Sequence, residues 1–80
     1  MPLFHFNSRT GDAILPDPEG EELPTLAAAR EVALATAREA LLEAVKVGDV
    51  PPDHIQVTDS EGKEVAIVPL TEVLQVARRR

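Results

Sequence analysis

The sequence predicts an α+β domain of order ββαββα: an antiparallel sheet with one long helix packed on one face and a short C-terminal helix. Residues 25–47, TLAAAREVALATAREALLEAVKV, carry the longest uninterrupted helical pattern in the chain, with small and apolar residues returning at helical spacing. Pairs of short runs before and after it alternate with the period of a strand, and turn residues separate the members of each pair. Proline and glycine fall between these runs or at their ends.

The first strand spans 2–6, with Phe4 and Phe6 on one face and Leu3 and His5 on the other. Residues 7–12, NSRTGD, supply turn chemistry, and a short second strand, Ala13–Leu15, follows. Pro16 and Pro18 end it, because proline cannot donate to a ladder. The stretch 16–24, PDPEGEELP, reads as a rigid acidic loop, too polar and too proline-rich for the core. Thr25 is expected to cap the long helix by accepting from an unpaired first-turn amide, and Gly48 to stop it.

One face of that helix collects Leu26, Ala29, Ala33, Ala37, Ala40, Leu41 and Ala44, flanked by Leu34 and Val45. Alanines there let a helix approach a sheet closely, while Glu31, Arg38, Glu39, Glu43 and Lys46 stay solvated. Beyond 49–53, the run His54–Thr58 forms a strand with Ile55 and Val57 facing one way. The turn 59–62, DSEG, leads into a returning strand, 63–68, apolar on both faces: Val65 and Ile67 on one, Ala66 and Val68 on the other. Pro69 stops it, and 70–79 forms the short helix through Leu70, Val73, Leu74 and Ala77, with Glu72 near its start and arginines at its end, matching the macrodipole.

The expected core is Phe4, Phe6, Ile14, Leu26, Leu34, Leu41, Val45, Ile55, Val57, Val65, Ile67 and Leu74. The chain of 80 residues reads as one domain, residues 1–80, burying only about 60 to 65% of its unfolded surface. So thin a core makes self-association a natural source of stability. A helix of about 23 residues is about 34 Å long and outruns strands of about 17 to 20 Å. Its overhang around Leu41, Leu42 and Val45 is the expected partner surface.

The chain has no cysteine, which excludes disulfides, thiolate zinc sites and cysteine nucleophiles, and fits an intracellular compartment. The start MPLFHF lacks the basic, apolar pattern of a signal peptide, and no apolar run is long enough to span a bilayer. A soluble, cytoplasmic protein with no membrane contact is expected. Fourteen acidic against eight basic residues give a formal charge of -6, which repels phosphate backbones, and Trp and Tyr are absent. No nucleic-acid partner is expected.

Arg30 is the one charge inside the apolar sector of the long helix and calls for an anion. Its expected partner is Asp17, Glu19 or Glu21, as a clamp of loop to helix. His5 is expected to share a sheet face with Gln56 and Thr58, and His54 to open a strand. Neither histidine has a paired nucleophile, a convergent carboxylate or a third ligand at recognisable spacing, so no catalytic residue, metal site or cofactor is expected. The acidic loop does not match the calcium-loop pattern, and Arg78, Arg79 and Arg80 read as a basic helix end.

Met1-Pro2-Leu3-Phe4-His5-Phe6, Gly11-Asp12, Pro16-Asp17-x-x-Gly20-x-Glu22-Leu23-Pro24, Leu26-x-x-Ala29-Arg30 with Ala33, and Asp59-x-x-Gly62 with Val68-Pro69-Leu70 together resemble a family of small bacterial domains of unknown function that begin M-P-[RL]-[FY]-x-F. The likeness covers nearly the whole chain and implies a short cytoplasmic domain without enzyme activity. A fainter similarity is to the N-terminal domain of HicB-type antitoxins, which also place a strand hairpin and an acidic Pro-Gly loop before an alanine-rich helix. This chain departs from it in its second hairpin and terminal helix, and in the expected lack of an appended DNA-binding domain. The resulting expectation is a non-enzymatic interaction or regulatory module, a homodimer with an unidentified protein partner. The competing expectations are a small-ligand site built from His5, Arg30 and the acidic loop, and antitoxin-like capture of a small basic protein.

Overall fold

The computed structural model describes residues 1–78, with side chains through residue 74. Arg79 and Arg80 lie outside the described residues, and Ala77 and Arg78 outside the described side chains. The elements are β1 (Leu3–Thr10), β2 (Ala13–Leu15), β3 (Glu21–Glu22), α1 (Leu26–Val47), β4 (His54–Thr58), β5 (Glu64–Pro69) and α2 (Leu70–Arg78). They form the expected α+β fold, a five-stranded sheet in the order β2-β1-β4-β5 with β3 also on β1. Every pairing is antiparallel.

Two elements differ from the sequence reading. β1 runs on to Thr10, because Asn7, Ser8 and Arg9 pair with Gln56, Ile55 and His54 of β4, and tertiary pairing outweighs the turn propensity of the NSRT run. The turn shrinks to Gly11 and Asp12. Asp53 holds it: its carboxylate accepts from the Gly11 N–H at 2.7 Å and its own N–H donates to the Arg9 carbonyl at 2.7 Å. The second difference is β3, which turns the end of the acidic stretch into a strand; Glu21 and Glu22 pair with Phe4 and Leu3, and the Leu23 N–H donates to the Pro2 carbonyl at 3.0 Å. The order is therefore βββαββα.

Hydrogen-bonding directions alternate along a strand. Pro2 and Phe6 direct backbone groups away from β4, while Arg9 directs its carbonyl to the β4 side. β2, the 16–20 loop and β3 thus line up along a single edge of β1. β5, at the far end of the sheet, runs directly into α2.

Phe4, Phe6, Ile55, Val57 and Val68 fill one sheet face beneath Ala29, Ala33 and Ala37, all 0% exposed, with Leu70 and Val73 closing the side. Thr25 and Gly48 cap α1 as expected: the Thr25 hydroxyl accepts from the Ala28 N–H at 3.0 Å, and Gly48 at φ 74° and Asp49 donate to the last turn. The register that sets Ile55 opposite Val68 and Val57 opposite Ala66 turns the other face of β5 outward. Ile67 is accordingly 42% exposed instead of buried. Ile14 is exposed for the same reason, since it pairs with Arg9 on the outer face, and Leu26, Val45 and Leu74 also leave the expected core. Leu34, Leu41 and Val65 pack partly buried against it.

The molecule is thin, 17 Å in its shortest dimension, so the sheet face opposite the helices carries no second layer among the described residues. No helix of the described residues is long and apolar enough to cross a membrane.

The alanine contact predicts a sharp positional effect. Ala33→Leu must push α1 off the sheet and is expected to cost about 1 to 3 kcal/mol in urea unfolding, whereas Ala27→Leu on the exposed side is expected to change stability by less than about 0.5 kcal/mol.

Candidate functional site

Asp17, at the start of the PDPEG turn, is bonded through its carboxylate, its N–H and its carbonyl. One carboxylate oxygen accepts from the Phe6 N–H at 3.1 Å, filling the gap that the β1 ladder leaves between β2 and β3, and the other accepts from the Gly20 N–H at 3.3 Å. The Asp17 N–H donates to Asn7 Oδ1 at 2.9 Å, and its carbonyl lies 2.7 Å from His5 Nδ1. A carbonyl only accepts, so Nδ1 is the donor in this contact. Gly20 completes the turn at φ 71°, and a Cβ there would sit 2.7 Å from the Phe4 carbonyl oxygen and 3.0 Å from the His5 ring. The loop is thereby folded onto β1.

From this clasp a chain of polar groups crosses the outer sheet face. Asn7 Nδ2 donates to Gln56 Oε1 at 3.4 Å, and Gln56 Nε2 donates to Glu64 Oε1 at 2.9 Å. His5 pairs with Thr58 and Asn7 with Gln56, which puts His5 on the face shared with Gln56 and Thr58. Arg9 stands beside His54 and Ile14, its Nε buried without a partner among the described residues.

Arg30 takes no part in this cluster. It meets Glu72 of α2 at 3.7 Å, both side chains partly exposed, in place of the expected clamp to Asp17, Glu19 or Glu21. Strand order explains the difference: α2 continues from β5 at one end of the sheet, whereas the acidic loop lies along β1 towards the other. Glu21 is exposed and pairs through its backbone with Phe4. His5 and Asp17 therefore come together, and Arg30 stays apart. Among the described residues no three His, Asp or Glu side chains gather where they could hold a metal ion.

A groove of about 350 Å³ opens under the C-terminal half of α1, lined by Ser8, Thr10 and Leu15 from the sheet, Ala40, Glu43, Ala44 and Val47 from the helix, and Asp49, Val50 and Pro52 beyond it. Leu15 and Val50 are 71% and 74% exposed. The helical pattern foretells the overhang but not its partners, since Leu15 and Val50 arrive from separate segments. Of the three overhang residues read from sequence, Leu42 and Val45 are 63% and 72% exposed and Leu41 is half-buried against the core.

A family model described as Domain of unknown function (DUF6894) matches residues 3–71, from the first residue of β1 into the first turn of α2. The chain belongs to that family. The match agrees with the resemblance to a small domain of unknown function and carries no link to HicB-type antitoxins. No curated protein and no solved structure matches the DUF6894 chain.

The clasp should matter to stability far more than the surface ion pair. Gly20→Ala combines a left-handed backbone with a close contact to the Phe4 carbonyl and is expected to cost about 2 kcal/mol or more. Asp17→Ala orphans two amides and should cost about 1 to 3 kcal/mol. Arg30→Ala should cost at most about 1 kcal/mol. Chemical unfolding of the three variants checks the ranking.

Proposed function

We propose that this DUF6894 chain is a non-enzymatic, cytoplasmic interaction module that pairs with a second copy of itself along β5. The observation that carries the reading is the exposed end strand. Ile55 and Val57 face Val68 and Ala66, and the Leu70 N–H donates to the Asp53 carbonyl at 3.0 Å, so residues 66, 68 and 70 direct their backbone groups to β4. By alternation Ile67 directs its N–H and C=O away from the sheet.

Edge strands in soluble proteins are commonly blunted by a central charge, an internal proline or a bulge. Here the central run Val65-Ala66-Ile67-Val68 is uncharged, with Glu64 at one end, Pro69 at the other and a single irregularity opposite Val57 and Thr58. An antiparallel two-fold pairing centred on Ile67 gives that residue reciprocal hydrogen bonds with its counterpart and brings two half-exposed isoleucines together on the outer face. The missing N–H of Pro69 falls near the margin of such a pairing. The core of small residues under α1 adds to the reading, because alanines bury little apolar area for each residue ordered.

Sedimentation equilibrium at micromolar concentrations is expected to show a monomer–dimer equilibrium, and Ile67→Lys to weaken it by about tenfold or more without changing the circular dichroism spectrum. Leu42→Lys with Val45→Lys should leave it unchanged. A wild-type protein that stays monomeric, or a dimer lost on the Leu42 and Val45 changes but not on Ile67→Lys, overturns the β5 reading.

A further inference from the structure

We infer that the groove under the C-terminal half of α1 docks a basic, amphipathic segment of another protein. It lies over β1 and β2, whereas β5 forms the opposite end of the sheet, so it is a surface separate from the proposed self-pairing edge.

The walls are mostly apolar: Leu15, Val47 and Val50 project with most of their surface in water, and Ala40 and Ala44 leave room between helix and sheet. At about 350 Å³ the volume is at the low end for ligand clefts, which enclose most of a bound small molecule. A groove whose walls are this exposed encloses little, and a segment laying apolar side chains along those walls covers them better.

Charge selects the kind of segment. The charged residues lining the groove are Glu43 and Asp49, and no lysine or arginine lines it among the described residues. The groove also sits at the C-terminal end of α1, where the helix dipole adds partial negative charge and the last-turn Lys46 is not one of the lining residues. Lysine or arginine flanking the apolar side chains meets this rim, whereas an acidic segment meets like charge at Glu43 and Asp49.

Fluorescence anisotropy tests the inference with three short labelled probes: a peptide alternating leucine and lysine, its leucine–glutamate counterpart and oligolysine. All are titrated in the Ile67→Lys background, which separates this binding from self-association. The leucine–lysine probe is expected to bind at least about tenfold more tightly than either control, and more weakly as salt rises. Leu15→Ser with Val47→Ser, and separately Glu43→Gln with Asp49→Asn, should each weaken it by about tenfold. These side chains are exposed, and asparagine at 49 keeps an acceptor for the Val50 N–H, which Asp49 Oδ1 holds at 2.7 Å. Amide chemical shifts should move at Thr10, Val47 and Val50. Oligolysine binding as tightly as the leucine–lysine probe, unchanged affinity in both double variants, shift changes confined to other surfaces, or no binding of any probe overturns the proposal.

Discussion

The close approach of α1 to the sheet governs the rest of the structure. Ala29, Ala33 and Ala37 are fully buried against Ile55, Val57 and Val68, and no larger side chain fits between these layers without separating them. The same small residues continue to Ala40 and Ala44, where the helix passes over the short β2 end of the sheet. Under the first half of α1 small side chains give tight packing. Under the second half the same choice leaves the groove, and Leu15, Val47 and Val50 stay in water around it.

The two sides of the sheet are finished differently. Along β1 the chain closes its own edge with β2, the Asp17 carboxylate and β3, and Gly20 allows the loop to lie against the strand without a clash. Among the described residues β5 has no strand beyond it in the sheet, and its central residues are apolar. β2 and β3, the outer strands on that side, have three and two residues and offer little to a further strand, while β5 presents six. This asymmetry directs the proposed self-pairing to β5 and leaves the β1 side to the groove.

Arg30 and the acidic loop show where local reading reached its limit. An arginine in an apolar sector implies a nearby anion, and several carboxylates stand only a few residues upstream; sequence proximity made them the natural partners. Glu72, far along the chain, arrives instead because β5 carries α2 alongside α1. Asp17 directs its oxygens to the Phe6 and Gly20 amides instead, a role that exists only once β1 lies beside the loop.

The sequence by itself determined the α+β class, the extent of α1 and both of its caps, the inward faces of β1 and β4, and the hairpin through Gly62, because each rests on a local period, on a capping hydroxyl or on a glycine that tolerates positive φ. The resemblance to a small domain of unknown function was also legible there. Tertiary structure alone decided which face of β5 is buried, since Val65, Ala66, Ile67 and Val68 are apolar on both sides and only the pairing with Ile55 and Val57 separates them. It also decided the length of β1, the existence of β3, the partner of Arg30 and the groove. Each of these joins segments distant in sequence, and no local pattern encodes which distant segment arrives.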